Sequence, residues 1–173
     1  MTPRILSLLG LKHVGKSSVG RRLADVLEWD FYDADDEILR VYRQNRADGA
    51  VEDGESAAAS VREVYRSVGG DEFRRLESTA VHRIVAPRPP EHGVVFALGG
   101  GVCDNDEAFS LICGATESVF LDASFDVLYR RIIRGGVPAF LDQNRPEEHF
   151  YEIARRRRAA YLEAADHTVA TTD

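Results

Sequence analysis

Gly10-Leu11-Lys12-His13-Val14-Gly15-Lys16-Ser17 satisfies the pattern G-x-x-x-x-G-K-[ST] at every position. The chemistry served by this spacing is phosphate binding. Glycines let successive backbone N–H groups turn inward around phosphate oxygens, and a following helix N-terminus adds roughly half a positive charge. Lys16 would reach the outer phosphates and the Ser17 hydroxyl would ligate Mg²⁺. Gly10, Lys12, His13, Val14, Gly15 and Ser18 would complete the nucleotide cradle. The alternative is a chance match in a glycine-containing turn. Against it, Lys12 and Lys16 are the only lysines among 22 cationic side chains. A chain this biased toward arginine still carries lysine where the pattern demands a compact charge.

Four further groups could do chemistry. Asp33 and Asp35 follow the apolar pair Phe31-Tyr32 and, if both stay extended, share one face. One could serve Mg²⁺ and the other a substrate hydroxyl; the alternative is a polar strand-to-helix turn with Asp35 or Asp36 as N-cap. Arg74 and Glu77, three apart in a helical stretch, are neighbours on one flank. A guanidinium held at a fixed angle can clamp a carboxylate, the alternative being a surface ion pair. Gly99-Gly100-Gly101 follows the buried-strand pattern Val94–Leu98 and lets a ligand approach the backbone closely. Arg155–Arg158 are consecutive on a helix, so at most one or two can meet a common ligand and the rest are expected to be solvated.

The elements that position these groups follow from periodicity. Apolar runs at 5–9, 94–98, 118–121 and 167–171, and the stretch 31–35 ending in carboxylates, read as strands. Helical spacing is expected over 17–28, 36–43, 61–68, 73–84, 106–113, 125–134 and 147–165, with a stop at Gly69-Gly70. The acidic, glycine-containing stretch 45–56 reads as a loop, and 135–146, with glycines at one end and proline at the other, as a lid. Strands alternating with helices imply a parallel α/β sheet with ligands at the strand C-termini.

The totals fit one globular domain of 173 residues, 44% apolar and 29% charged. A net charge of −7 opposes electrostatic binding of nucleic acid. Cys103 and Cys113 lack metal-ligand spacing and are too few for a disulfide framework. With no secretory pattern and no membrane span in view, a cytoplasmic protein is expected.

Taken together, the phosphate loop, the D-A-D after the second strand, S-V-R-E-V-Y-R-S-V-G-G-D-E-F-R-R-L-E, the apolar strand into G-G-G, and R-R-A-A-Y near the end resemble the shikimate kinase family. The resemblance implies a P-loop NTPase-type fold: a parallel five-stranded sheet flanked by helices, with a substrate-binding segment at 34–77, an insert near 45–58 and a lid at 134–147. It implies a monomeric enzyme that moves the γ-phosphoryl of MgATP to the 3-hydroxyl of shikimate. Asp35 then matches the residue at the ring hydroxyls and candidate base, and Asp33 the one near Mg²⁺. Arg74 and Arg157 match the pair that holds the substrate carboxylate, with Glu77 orienting Arg74. Gly99, Gly100 and Gly101 match the glycines lining the substrate, and Arg130 the arginine stacked on adenine.

Three departures stand out. Val137 occupies the place of the family's lid arginine before proline, so Arg145, Arg134 or Lys12 is expected to supply that charge. An insertion lies between Asp35 and Ser60, and the family continues beyond the position of Asp173 into an adenine-contacting loop and a final helix. Two other readings stay open: a kinase of the same fold for another small hydroxylated acid, and a nucleotide-binding protein without useful turnover.

Overall fold

The five expected strands assemble as one parallel sheet: β1 (Ile5–Leu9), β2 (Asp30–Asp33), β3 (Val94–Ala97), β4 (Glu117–Asp122) and β5 (His167–Ala170), in the order β2-β3-β1-β4-β5. The structure is a computed structural model that describes residues 5–48, 60–86, 93–138 and 140–171. Leu8 lies opposite both Ala97 and Val119, and Asp33 opposite Ala97, so the C-terminal ends of β1, β2 and β3 are level. Because β3 lies between β2 and β1, the glycine run after β3 stands between Asp33 and the phosphate loop. This edge is where ligands bind in open α/β sheets.

Parallel strands need crossovers, and six helices supply them: α1 (Lys16–Leu27), α2 (Ala34–Asp48), α3 (Val61–Val85), α4 (Asp106–Ala115), α5 (Phe125–Ile132) and α6 (Pro146–Ala164). Strand alternation divides the core. Leu9, Phe96 and Phe120 pack with Ile84 of α3, Ile112 of α4, Leu128 of α5 and Tyr161 of α6. Leu8 and Val95 pack on the other face with Ala24 of α1. Away from the sheet, Ile38, Val41 and Tyr42 of α2 bury against Val64, Leu76 and Ala80 of α3. That satellite cluster joins α2 to α3.

Two expectations change. The second strand stops at Asp33, and Asp35 lies in the first turn of α2, where Asp33 Oδ1 accepts from Asp35 N at 3.1 Å. Carboxylates in a first turn also complement the helix dipole. Second, α2 runs through residues 45–48, which read as loop. An i,i+4 pair supports that last turn: Arg46 lies 5.8 Å over the Tyr42 ring and donates to its hydroxyl at 3.2 Å. The rest of the expected insert, 49–58, and the helix-closing stretch Pro87–Pro90 lie outside the described residues. The expected stop at Gly69-Gly70 holds: Gly69, with φ 80° and ψ 174°, is a non-helical kink that divides α3 into two helical segments. A capping box between Ser60 and Glu63 starts that helix.

The expected lid is fastened at its far end. Leu141 is buried in the main core, Asp142 Oδ1 accepts from the N–H groups of Asn144 (2.8 Å) and Arg145 (3.1 Å), and Asp142 N donates to His149 Nδ1 at 2.9 Å. Val137 and Phe140 are exposed on it. No helix among the described residues is long and apolar enough to cross a membrane.

Candidate active site

The phosphate loop leaves β1 at Gly10 and enters α1 at Lys16. Three residues with positive φ shape it, Gly10 (148°), His13 (65°) and Gly15 (103°), and Gly15 is the N-cap of α1. A glycine is favoured at Gly15 for this conformation alone, since a Cβ there would meet nothing within 4 Å. Val14 is buried in the core and anchors the loop, while Lys12, Ser17 and Ser18 are exposed.

Lys16 is buried and its ammonium folds back on the loop, donating to Gly10 O at 2.8 Å and Leu11 O at 3.0 Å. Burial depresses its pKa to about 8; the Asp35 and Asp33 charges oppose this, and Lys12 and Arg157 reinforce it. Residues from the phosphate loop, β2, α2 and α6 thus all act on one ammonium. His13 is held below its ordinary pKa by burial and then by Lys12, Lys16 and Arg131.

The Ser17 hydroxyl donates to Asp33 Oδ2 at 2.5 Å. A hydroxyl and a carboxylate oxygen side by side make a donor set suited to a hard divalent cation. Among the described residues no group of three or more His, Cys, Asp or Glu could hold a metal, so a cation here would draw further oxygens from phosphate or water. Asp35 stands at the head of α2 with its pKa raised by partial desolvation and then by Asp33, while Lys12 and Lys16 pull it down.

The three glycines after β3 each meet a different neighbour. A Cβ on Gly99 would lie 3.2 Å from Glu77 Oε1, one on Gly100 2.6 Å from the Lys12 backbone nitrogen, and one on Gly101 2.9 Å from Arg157 Nη2. The run is therefore demanded by the protein's own packing: the phosphate loop rests on Gly100 and a guanidinium on Gly101.

Arg157 reaches the run from α6, donating from Nη1 to Gly100 O at 3.2 Å and pairing with Asp104 at 2.8 Å. Arg156 pairs with the same Asp104 at 2.8 Å, and Arg158 grips Asp122 at 2.6 Å. Arg155 lies 5.9 Å over the Tyr151 ring. Three of the four consecutive arginines are thus ion-paired, contrary to the expectation that most are solvated. Arg74 does not converge with Arg157 in this conformation. It pairs with Asp71 on its own helix and is half exposed.

Glu77 is buried and bonds Asn105 instead of Arg74: Asn105 Nδ2 donates to Glu77 Oε2 at 3.0 Å and to Arg74 O at 2.9 Å. Burial raises the pKa of Glu77; the Asn105 bond and Arg157 oppose this, and Asp35 and Asp104 add to it. Arg130 is exposed on α5, its Nε on Asp126 O at 3.3 Å. The neighbouring Arg131 instead donates to His13 O at 3.2 Å, from α5 onto the phosphate loop.

Sequence reasoning missed Asp104, Asn105, Asp71 and Arg131. Only Asn105, just ahead of the helical pattern at 106, carried a local signal, that of an N-cap; its side chain indeed accepts from Ala108 N.

Comparison with known proteins extends the geometry. The shikimate kinase family model matches residues 12–57 and 47–173. A shikimate kinase of Caulobacter vibrioides is 36% identical over 164 residues, 95% of this chain and 72% of that protein. One from Zymomonas mobilis is 30% identical over 95% of this chain and 83% of its own length. Among solved structures, a shikimate kinase from Acinetobacter baumannii in complex with shikimate superposes with TM-score 0.77 at 24% identity, covering 99% of this chain and 86% of that one. One from Aquifex aeolicus gives 0.69 at 24% identity, over 96% and 86%. These two structural likenesses concern the fold.

Proposed function

The chain belongs to the shikimate kinase family, and from that membership and the site's geometry we propose that it transfers the γ-phosphoryl group of ATP to the 3-hydroxyl of shikimate. The observation that carries this reading is that Asp33, Asp35 and Arg157 all act on the buried Lys16 ammonium, while the phosphate-loop backbone at Lys12 and the Arg157 guanidinium pack on Gly100 and Gly101. A cation suited to phosphate, a cation suited to a carboxylate and two aspartates thus lie within electrostatic reach of one another's site.

In this reading the loop N–H groups and Lys16 hold the phosphates, Lys16 exchanging its two backbone carbonyl partners for phosphate oxygens. Asp35 accepts the proton of the acceptor hydroxyl as its oxygen bonds to the γ-phosphorus and the bond to the β–γ bridging oxygen breaks, releasing ADP. Ser17 and Asp33 would hold Mg²⁺, which when bound offsets phosphate charge. Arg157 meets the acceptor's carboxylate above Gly100 and Gly101, and Arg74, beyond the Gly69 kink of α3, closes from the other side by leaving Asp71. Arg130 serves the adenine. Positioning and charge neutralisation do most of the work.

A coupled assay of ADP release with shikimate, followed by a panel of small polyhydroxy acids, tests this. Turnover with shikimate supports it. Turnover only with another acid favours the second kinase reading, which the outward turn of Arg74 to Asp71 motivates. Tight ATP binding with no turnover on any acid sinks both.

A further inference from the structure

Consecutive residues on an α-helix point about 100° apart, yet Arg156 and Arg157 meet on one carboxylate. Arg156 Nη1 donates to Asp104 Oδ1 at 2.8 Å and Nη2 to Oδ2 at 3.2 Å. Arg157 donates to Oδ2 from both Nε (3.0 Å) and Nη2 (2.8 Å). Asp104 is itself fixed to the glycine run. It closes the short 3₁₀ turn Val102–Asp104, and its backbone N–H donates to Gly101 O at 2.9 Å.

The consequence lies in which donors remain. A guanidinium has five N–H groups. In Arg157, Nε and one on Nη2 go to Asp104 and one on Nη1 goes to Gly100 O. One N–H on each terminal nitrogen is left, and two parallel N–H groups on those nitrogens are what a carboxylate accepts in a bidentate pair. The charges also balance to one net positive, two arginines against one aspartate, so an approaching anion meets a cationic group and not a neutral pair. Burial opposes ionisation of Asp104, but the hydrogen bonds and charges of Arg156 and Arg157 outweigh it and hold its pKa below the usual range.

We propose that Asp104 is a positioning residue for acceptor recognition: it clamps Arg157 along the Nε–Nη2 edge so that the two remaining N–H groups face the acceptor's carboxylate over Gly100 and Gly101, while Arg156 offsets its charge. This rests on the reading that Arg157 binds that carboxylate. A rival view has the opposite sign: Asp104 is an internal carboxylate that occupies Arg157 and must be displaced.

Steady-state kinetics with shikimate and ATP on Asp104→Ala, Asp104→Asn, Arg157→Ala and the Asp104→Ala/Arg157→Ala double variant separate these. The proposal expects Asp104→Ala to raise the acceptor KM roughly tenfold, with kcat and the ATP KM changed about twofold at most. Asp104→Asn, which keeps one acceptor oxygen, falls between and serves should the alanine variant not fold. In the Arg157→Ala background the Asp104 change has no further effect on the acceptor KM, a result that a merely structural role would not give. An acceptor KM that falls or stays level in both Asp104 variants, or that rises equally without Arg157, overturns the proposal. If Arg157→Ala itself leaves the acceptor KM unchanged, the underlying reading of Arg157 has failed; if it raises that KM while the Asp104 variants do not, only the role of Asp104 has.

Discussion

The hydroxyl of Ser17, at the start of α1, donates to Asp33 Oδ2, at the end of β2, over 2.5 Å. Asp33 ends β2 and Ser17 follows the loop after β1, strands that are not neighbours because β3 lies between them, so the contact depends on the level ends of β1, β2 and β3. In the proposed reading a cation divides Ser17 from Asp33 and each turns an oxygen to it. Asp33→Ala is then expected to raise the Mg²⁺ concentration needed for half-maximal rate and to lower turnover, by roughly 10–100-fold. Initial rates against Mg²⁺ at saturating ATP measure this, and an unchanged Mg²⁺ dependence removes Asp33 from the cation site.

Lys16 makes a pH-dependent prediction for the protein without nucleotide. Its pKa falls from 10.5 to about 8 on folding because burial disfavours the ammonium. Below pH 8 both folded and unfolded chains carry the proton, so the folded state bears the full cost of the buried charge, roughly 3 kcal/mol. Between about 8 and 10.5 the folded chain has lost a proton that the unfolded chain keeps, and this group's contribution to stability rises with pH. Lys16→Met is therefore expected to be more stable than the parent near pH 7, with the gap narrowing toward pH 10. Denaturant melts at both pH values report it; a gap that widens with pH contradicts the assignment.

Asp35 has to be ionised to accept a proton, so kcat/KM for the acceptor should fall as pH drops through its raised pKa. Lys12 opposes that rise through its positive charge. Removing it in Lys12→Ala takes away stabilisation of the carboxylate, raises the Asp35 pKa further, and moves the acid limb of the profile to higher pH. A limb that stays in place or moves down would show that another group sets it.

How far the sequence carries is uneven, for physical reasons. The phosphate loop and the five strands were legible because their signals are local: glycine and lysine at fixed offsets, apolar runs between turns. Asp35 was misplaced because Phe31-Tyr32-Asp33 continues a strand pattern up to a residue whose own carboxylate turns the chain into α2. The break at Gly69 was legible too, because a glycine pair between two helical patterns is a local signal. The arginine pairs were invisible. Asp104 and Asp122 lie 52 and 36 residues from their partners Arg156 and Arg158, and no periodicity links residues that far apart. The three glycines were conspicuous, but their reason, contact with Lys12 and Arg157, exists only after folding.

That contact makes a matched pair of substitutions informative. In Gly100→Ala the new Cβ would lie 2.6 Å from the Lys12 nitrogen and 3.1 Å from its Cα. Both are backbone, so the phosphate loop must shift, at a cost of about 1–3 kcal/mol. The variant should melt lower and bind ATP more weakly. Gly114→Ala, in α4 with nothing within 4 Å, should instead stabilise by about 0.5–1 kcal/mol through helix propensity alone. Thermal melts and ATP titration of both variants decide; equal behaviour would mean the phosphate loop does not rest on Gly100.

Arg131 bears on the lid, where Val137 replaces the arginine that the family places before proline. The expected substitutes were Arg134, Arg145 and Lys12. Arg134 is exposed, and Arg145 pairs with Glu148 at 3.2 Å. Arg131, from α5, instead donates to His13 O at 3.2 Å and depresses the pKa of that histidine along with Lys12 and Lys16. It thus brings a fixed cation to the outside of the phosphate loop. A charge-assisted hydrogen bond of this kind contributes about 1.5–3 kcal/mol, so Arg131→Ala is expected to lower kcat/KM for ATP roughly 10–100-fold. Arg134→Ala and Arg145→Ala should change it by less than about threefold, as solvated or surface-paired cations do. Kinetics of the three variants at fixed ionic strength measure this. A larger loss in Arg134→Ala or Arg145→Ala than in Arg131→Ala would return the missing charge to the lid itself, and would mean that the lid closes over the phosphates by more than its anchored far end at Leu141 suggests.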